Sequence, residues 1–272
     1  MVVHAQDVSL PPRLFPLSLS VEAGQVVHLI GPNGSGKSTL LQLLSGLEMP
    51  EAGHIAINSQ RLGGQTRQTL AQWRGYLMQH QRPAFVMAVF EYLNLVLDSL
   101  PRPSLQGQSL PRQSLQRMAG SARDEAVNHI ASRLAVSDKL HRRIDSLSGG
   151  EWQRVRLAGA LLQVLPSLNP HACLLLLDEP ATGLDVAQQE IIYQEISMMA
   201  ATYGIAIVMA NHDLNRTLVH ADKVLLLNQG RLVATGHPGQ VLTDRQLSEV
   251  FATPLEQVST VNGPVIMPAR TS

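Results

Sequence analysis

Residues 25–30, QVVHLI, read as a strand buried on both faces, and they run straight into Gly31-Pro32-Asn33-Gly34-Ser35-Gly36-Lys37-Ser38-Thr39. Directly afterwards Leu40, Leu41, Leu43 and Leu44 recur at helical spacing. Residues 31–38 fit G-x-x-x-x-G-K-[ST], the pattern of a phosphate-binding loop. In such a loop, backbone N–H groups wrap phosphate oxygens, the lysine neutralises their charge and the hydroxyl ligates magnesium. A glycine turn with a solvated lysine is the competing reading. The placement between strand and helix counts against it.

The rest of the chain repeats that alternation. Strand-like stretches fall at residues 2–9, 53–57, 76–78, 173–177, 205–210 and 224–227. Helical patterns fall at 88–98, at 124–135, after Gly150 and from Val186 onward. Strands alternating with helices imply an α/β fold with a mostly parallel sheet covered on both sides. The helical stretch between the strands reads as a separate subdomain. One segment fits neither period: between Asp98 and Arg123 the pair Ser-Leu recurs at 99, 104, 109 and 114, interrupted by Pro101, Pro103, Gly107 and Pro111. Residues 99–117 are therefore expected to form a mobile surface insertion, or a binding segment that orders on a partner.

Composition excludes several function classes. Lys and Arg number 21 against 21 Asp and Glu, so wholesale binding to nucleic acid or to an anionic membrane has no electrostatic support. With 44% hydrophobic and 15% charged residues, the chain can bury a sizeable core. A single cysteine, Cys173, rules out an internal disulfide, and no Cys/His spacing suits zinc, so a reducing compartment is expected. No apolar run is long enough to span a bilayer.

Leu174-Leu175-Leu176-Leu177-Asp178-Glu179-Pro180 places two carboxylates at the end of a buried strand. Desolvating them is costly unless a cation or hydrogen bonds meet them. Magnesium bridged to nucleotide phosphates suits Asp178, and Glu179 can accept a proton from an attacking water. Taken alone, the pair could equally cap a strand. Between the two motifs lies Leu147-Ser148-Gly149-Gly150-Glu151-Trp152-Gln153-Arg154, where a serine and two glycines open a helix and form a second anion site.

This combination resembles the ATP-binding cassette (ABC) ATPases, whose LSGGQ signature is matched at four of five positions by residues 147–151. The resemblance covers residues 2–251 and implies a P-loop NTPase fold of the ABC nucleotide-binding type, with an antiparallel β subdomain and an inserted helical subdomain. It divides the chain into a RecA-like core, about residues 1–78 and 148–251, a helical subdomain at about 79–147, and a short tail at 252–272. It implies ATP and Mg2+ as ligands, with Gly31, Pro32, Asn33, Gly34, Ser35, Gly36, Lys37, Ser38 and Thr39 on the phosphates. Ser38, Gln79 and Asp178 would touch the metal. Glu179, Gln79 and His212 would serve hydrolysis, His212 as the switch histidine in Asn211-His212-Asp213.

Only one P-loop and one signature occur, so the resemblance implies a head-to-tail homodimer. In it Ser148, Gly149 and Gly150 close on the partner's γ-phosphate, and Thr182-Gly183-Leu184-Asp185 contacts the opposite subunit through Asp185. Two departures stand out. Pro11-Pro12-Arg13 occupies the place of an adenine-stacking aromatic; Phe15 is the nearest ring, and Arg13 is either solvated or stacks through its guanidinium. Glu151 replaces glutamine and is expected to turn outward, towards Arg154.

Within the family, residues 147–158, LSGGEWQRVRLA, and the stretch at 163–170 resemble the ATP-binding subunits of vitamin B12 (cobalamin) importers. Subunits of iron-siderophore and haem importers share the nucleotide motifs. This resemblance implies two transmembrane permease subunits, a periplasmic substrate-binding protein acting through them, no nucleic acid, and a peripheral position on the cytoplasmic face of the inner membrane. Residues 82–92 are expected to meet the permease. A soluble ABC ATPase acting on DNA or ribosomes is expected to carry basic arms, a long coiled coil or a second cassette, and the even charge count and single P-loop argue against it.

Overall fold

Alternating burial accounts for the first two strands. In β1 (Val3–Leu10) and β2 (Leu14–Val21) one face is apolar and covered, and the two pair antiparallel around the turn at Pro11-Pro12-Arg13. The computed structural model describes residues 1–79, 85–100, 112–261 and 263–269, with 112–119 as helical backbone. β3 (Val26–Ile30) is buried at every position, as a central parallel strand requires, and delivers the chain to α1 (Lys37–Ser45). Then come β4 (Ala52–Ile57), β5 (Gln60–Arg61), α2 (Arg67–Trp73) and β6 (Arg74–Leu77). The helical region holds α3 (Val89–Asp98) and α4 (Arg112–Arg133), followed by 3-10 turns at Ser137–Lys139 and Ile144–Ser146.

The chain returns to the core through α5 (Gly149–Val164), β7 (Leu174–Asp178), α6 (Val186–Tyr203), β8 (Ala206–Ala210), α7 (Leu214–His220) and β9 (Lys223–Asn228). It finishes with β10 (Arg231–Gly236), α8 (Pro238–Val241), α9 (Asp244–Phe251) and the hairpin β11 (Leu255–Thr260) and β12 (Gly263–Pro268).

The main sheet has the order β10-β9-β3-β8-β7-β6, parallel except for the β9–β10 edge pair. A second, antiparallel sheet runs β2-β1-β4-β5. The pleat of β7 divides the molecule: Leu175 and Leu177 face a core shared with α3, α4, α5 and α6, whereas Leu174 and Leu176 face α1 and the antiparallel sheet. Helix α5 is buried almost throughout between Arg154 and Val164, so its apolar residues surround it rather than forming a stripe.

Three expectations need correction. The second helix of the helical region begins at Arg112, not Asp124, and so includes Ser114 and Leu115 of the Ser-Leu repeat. Ser99 caps α3, and Leu100 is buried against the core, so the repeat's first member is packed structure too. The remainder of the expected insertion, residues 101–111, lies outside the described residues. The expected tail carries the β11–β12 hairpin, seated through Leu255 and Ile266 on the core under α7, α8 and α9. Asn215 of α7 clamps it: Nδ2 donates to the Ile266 carbonyl (3.1 Å), and Oδ1 accepts the Ile266 amide (2.7 Å).

Behind the site, His28 of β3 is fully buried, with Nδ1 3.0 Å from Thr217 Oγ1. Thr217 donates its own proton to the Asp213 carbonyl (2.8 Å), so we assign the His28 proton to Nδ1. Burial, reinforced by His220, pushes the His28 pKa down from 6.5 to about 3. A depressed histidine contributes stability above its unfolded pKa and loses it as pH falls, because the unfolded state binds the proton first. Between about pH 7.5 and pH 5.5 this residue should therefore cost about 1.4 kcal/mol of stability. Denaturant unfolding at the two pH values should show that loss in the wild type and not in His28→Gln; equal losses in both would refute it.

Candidate nucleotide site

The sheet order places β3, β8, β7 and β6 side by side and parallel, so their carboxyl ends open into one crevice. Gly31 follows β3, Asn211 and His212 follow β8, Asp178 ends β7, and Gln79 lies just past β6. Four separate stretches of sequence thereby meet.

The loop at residues 31–36 has little freedom of composition. Gly31 adopts φ 154°, and a Cβ there would stand 2.1 Å from the Leu227 carbonyl oxygen. Gly36 caps α1 at φ 102° and offers no side-chain acceptor, which leaves the first amides of the helix free to meet an anion. The Gly230 amide donates to the Ser35 carbonyl (3.1 Å), pinning the loop to the β9–β10 turn. Lys37 donates through Nζ to the carbonyls of Gly31 (2.7 Å) and Pro32 (3.0 Å). Burial lowers its pKa, while Glu179 and Asp178 act in the opposite direction.

At the end of β7, Asp178 is buried and its Oδ1 has no hydrogen-bond partner among the described residues. Burial raises its pKa, opposed by the Ser38 hydroxyl, which hydrogen-bonds it. A buried hydroxyl-bonded carboxylate with a spare oxygen is a hard-oxygen donor set of the kind that magnesium takes. Glu179 has φ 53°, a left-handed conformation uncommon for a residue with a side chain. Its carboxylate meets His212 Nε2 and the Gln79 side chain, and accepts from Thr182 Oγ1 (3.2 Å). Burial pushes its pKa up, but these partners outweigh that and hold it below the usual carboxylate value. A cavity of about 150 Å³ opens beside them, lined by Glu179, Thr182, Gln189, Tyr193, Asn211 and His212.

Ser148, Gly149 and Gly150 sit at the start of α5, where Ser148 Oγ accepts the Glu151 amide (3.2 Å). Asp185 caps α6 by accepting the Gln188 amide (2.9 Å). The two turns adjoin, since a Cβ on Gly150 would touch Leu184 and Gly183. Among the described residues, no hydrogen bond joins Ser148, Gly149, Gly150 or Asp185 to residues 31–39. The structure thus gathers Lys37, Ser38, Gln79, Asp178, Glu179 and His212 in one place and keeps the signature in another.

Glu151 departs from expectation. It reaches back to accept the Ser148 amide (2.8 Å) and pairs with Lys139 (3.3 Å) and Arg142 (3.8 Å). The Ser148 amide, aided by Lys139, holds its pKa down at about 2. Arg154 is not its partner, because it is buried and donates to the carbonyls of Leu134 (3.2 Å) and Ala135 (3.0 Å). Arg13 pairs with Glu48, and Phe15 lies under the guanidinium of Arg231 at 4.1 Å. Thr182 as a Glu179 partner was not foreseen, since only the backbone conformation at Glu179 turns the two side chains together.

The parallel sheet, the phosphate loop and the acidic strand end define an ATP-binding cassette, and residues 14–182 match the family described as ABC transporter; the chain belongs to that family. Curated relatives include the Vitamin B12 import ATP-binding protein BtuD of Photobacterium profundum, 48% identical over 95% of both chains. Its namesake in Vibrio atlanticus is 49% identical over 96% of this chain and 97% of its own. Among solved structures, an ATP binding subunit of an ABC transporter superposes with a TM-score of 0.74 at 23% identity, covering 93% of this chain and 98% of that one. A bacterial ABC transporter cassette in dimeric form gives 0.71 at 22%, over 87% and 98%. At these identities the two superpositions establish the fold.

Proposed function

We propose that this chain is the ATP-hydrolysing subunit of a vitamin B12 importer. The observation that carries the reading is near-half identity, over almost the whole chain, to proteins named for vitamin B12 import, supported by a site where Lys37, Ser38, Gln79, Asp178, Glu179 and His212 come together. The amides and lysine of residues 31–39 bind the triphosphate. Ser38, Asp178 and Gln79 would hold Mg2+, which offsets charge on the phosphate oxygens when bound. Glu179 takes the proton of the attacking water, and His212 and Gln79, already on its carboxylate, orient it. Ser148, Gly149, Gly150 and Asp185 belong to the neighbouring subunit's site in a homodimer, which fits their separation from this chain's own phosphate loop.

In this reading translocation falls to separate permease subunits, served by a periplasmic binding protein; no helix among the described residues is long and apolar enough to cross a membrane. The cassette then works at the cytoplasmic face of the inner membrane. Reconstitution with those subunits should give ATP-dependent uptake of labelled cobalamin; uptake of a ferric siderophore and none of cobalamin would overturn the reading.

The permease contact narrows to part of the expected segment. Phe85 and Val86 are 76% and 58% exposed, whereas Met87, Phe90 and Tyr92 pack against the core, and residues 82–84 lie outside the described residues. Phe85→Asp should uncouple hydrolysis from transport while Tm stays within about 2 °C of the wild type, since an exposed site tolerates charge. A severe fall in Tm, or unimpaired uptake, would refute the contact.

A further inference from the structure

Helix α5 does more than carry the signature. Gln153, one turn after Ser148, donates through Nε2 to the carbonyls of Glu179 (3.1 Å) and Pro180 (3.0 Å). Arg156, one turn further, donates through Nη1 to the Gln79 carbonyl (3.2 Å) and through Nη2 to that of Met78. The two side chains are themselves joined, Arg156 Nη1 donating to Gln153 Oε1 (3.0 Å). One pair of residues therefore ties together the backbones of the loops that carry Gln79 and Glu179.

Those loops need holding. Glu179 lies in the left-handed region at φ 53°, a conformation that persists only where its surroundings over-determine it. On one side its amide donates to the Ala210 carbonyl (3.2 Å); on the other, its carbonyl and the next accept from Gln153. Gln79 is exposed and lies just beyond the last residue of β6, where sheet hydrogen bonds stop. Arg156 supplies the missing anchor. Its guanidinium is buried, which lowers its pKa and makes each carbonyl it meets worth more than one in water.

We propose that Gln153 and Arg156 act as a single positioning link that fixes the distance between Gln79 and Glu179, and so the place of the attacking water. Neither touches a reacting atom; both act through the residues that do. Because the link stands on α5, displacement of Ser148 by a partner's nucleotide moves both loops together. The proposal rests on the reading of Glu179 as general base in ATP hydrolysis.

Steady-state ATPase assays and equilibrium ATP binding on the full chain test it, with Gln153→Glu, Arg156→Met and the double variant. Gln153→Glu keeps the size and removes the amide donor, so it covers the case in which the arginine variant does not fold. Each single variant should lower kcat by roughly tenfold or more while ATP affinity and KM stay within about threefold, as expected when a reacting group is misplaced but the binding loop is untouched. The double variant should be no slower than the slower single, because either change breaks the same link. Parental kcat in Gln153→Glu, or multiplicative losses in the double variant, would overturn the proposal. A wild-type chain that hydrolyses no ATP would instead refute the functional reading beneath it.

Discussion

Glu179→Gln should bind ATP with affinity within about threefold of the wild type while hydrolysis falls about 10²-fold or more, because the amide keeps the shape of the carboxylate and cannot take a proton. Among the described residues, the neighbouring phosphate loop shares no hydrogen bond with the Glu179 carboxylate, which meets His212, Gln79 and Thr182. The change removes the base and leaves the hydrogen bonds of the phosphate loop in place, although Glu179 also acts on Lys37 through its charge. With hydrolysis blocked, the ATP-loaded form should accumulate as a dimer in size-exclusion chromatography. A variant that hydrolyses at the parental rate would remove Glu179 from the role of base.

A second large effect is expected at Gly31. Replacement by alanine puts a Cβ 2.1 Å from the Leu227 carbonyl oxygen, which belongs to a central strand and cannot yield without disturbing the sheet. Gly34 is the internal comparison: at φ 77°, with nothing within 4 Å of its Cβ position, alanine there meets only the left-handed strain. Gly31→Ala should lose about 2 kcal/mol or more, shared between fold stability and ATP affinity, against about 1 kcal/mol for Gly34→Ala. Thermal melts and calorimetric ATP titrations on both variants measure the split. Equal effects at the two glycines would show that the loop can move away from Leu227.

The difference between those glycines also shows what sequence could reveal. The pattern G-x-x-x-x-G-K-S identified the loop and its ligand chemistry, because spacing along one strand-loop-helix unit is local and visible. Asp178 and Glu179 stand out in the same way, from a short string at the end of an apolar run, whereas His212 is implied only by the family resemblance. What joins them was not local. The Gln153 and Arg156 bonds span loops far apart in sequence, and the Thr182 hydroxyl reaches Glu179 only through a positive φ that no residue type announces.

Glu151 illustrates a different failure. Helical spacing offered Arg154 as its partner, yet tertiary packing had already taken that arginine into the core, leaving Lys139 and Arg142 from outside α5 to meet the carboxylate. Prolines and an odd period likewise suggested a loop as far as 117, whereas α4 already runs from Arg112. The C-terminal hairpin carried too little alternation to be noticed, because only Leu255 and Ile266 are drawn into the core.

The clamp between Asn215 and Ile266 has a consequence for the order in which the molecule is made. Asn215 stands one turn after His212, but its partner is synthesised 51 residues later. A growing polypeptide therefore holds a finished phosphate loop and acidic strand while α7 still lacks the amide clamp that secures its start. β12, made after every element of the site, closes it. A chain interrupted before Leu255 would carry every nucleotide motif and yet leave Asn215 without its Ile266 partner, so the support of α7 is finished later than the site in front of it.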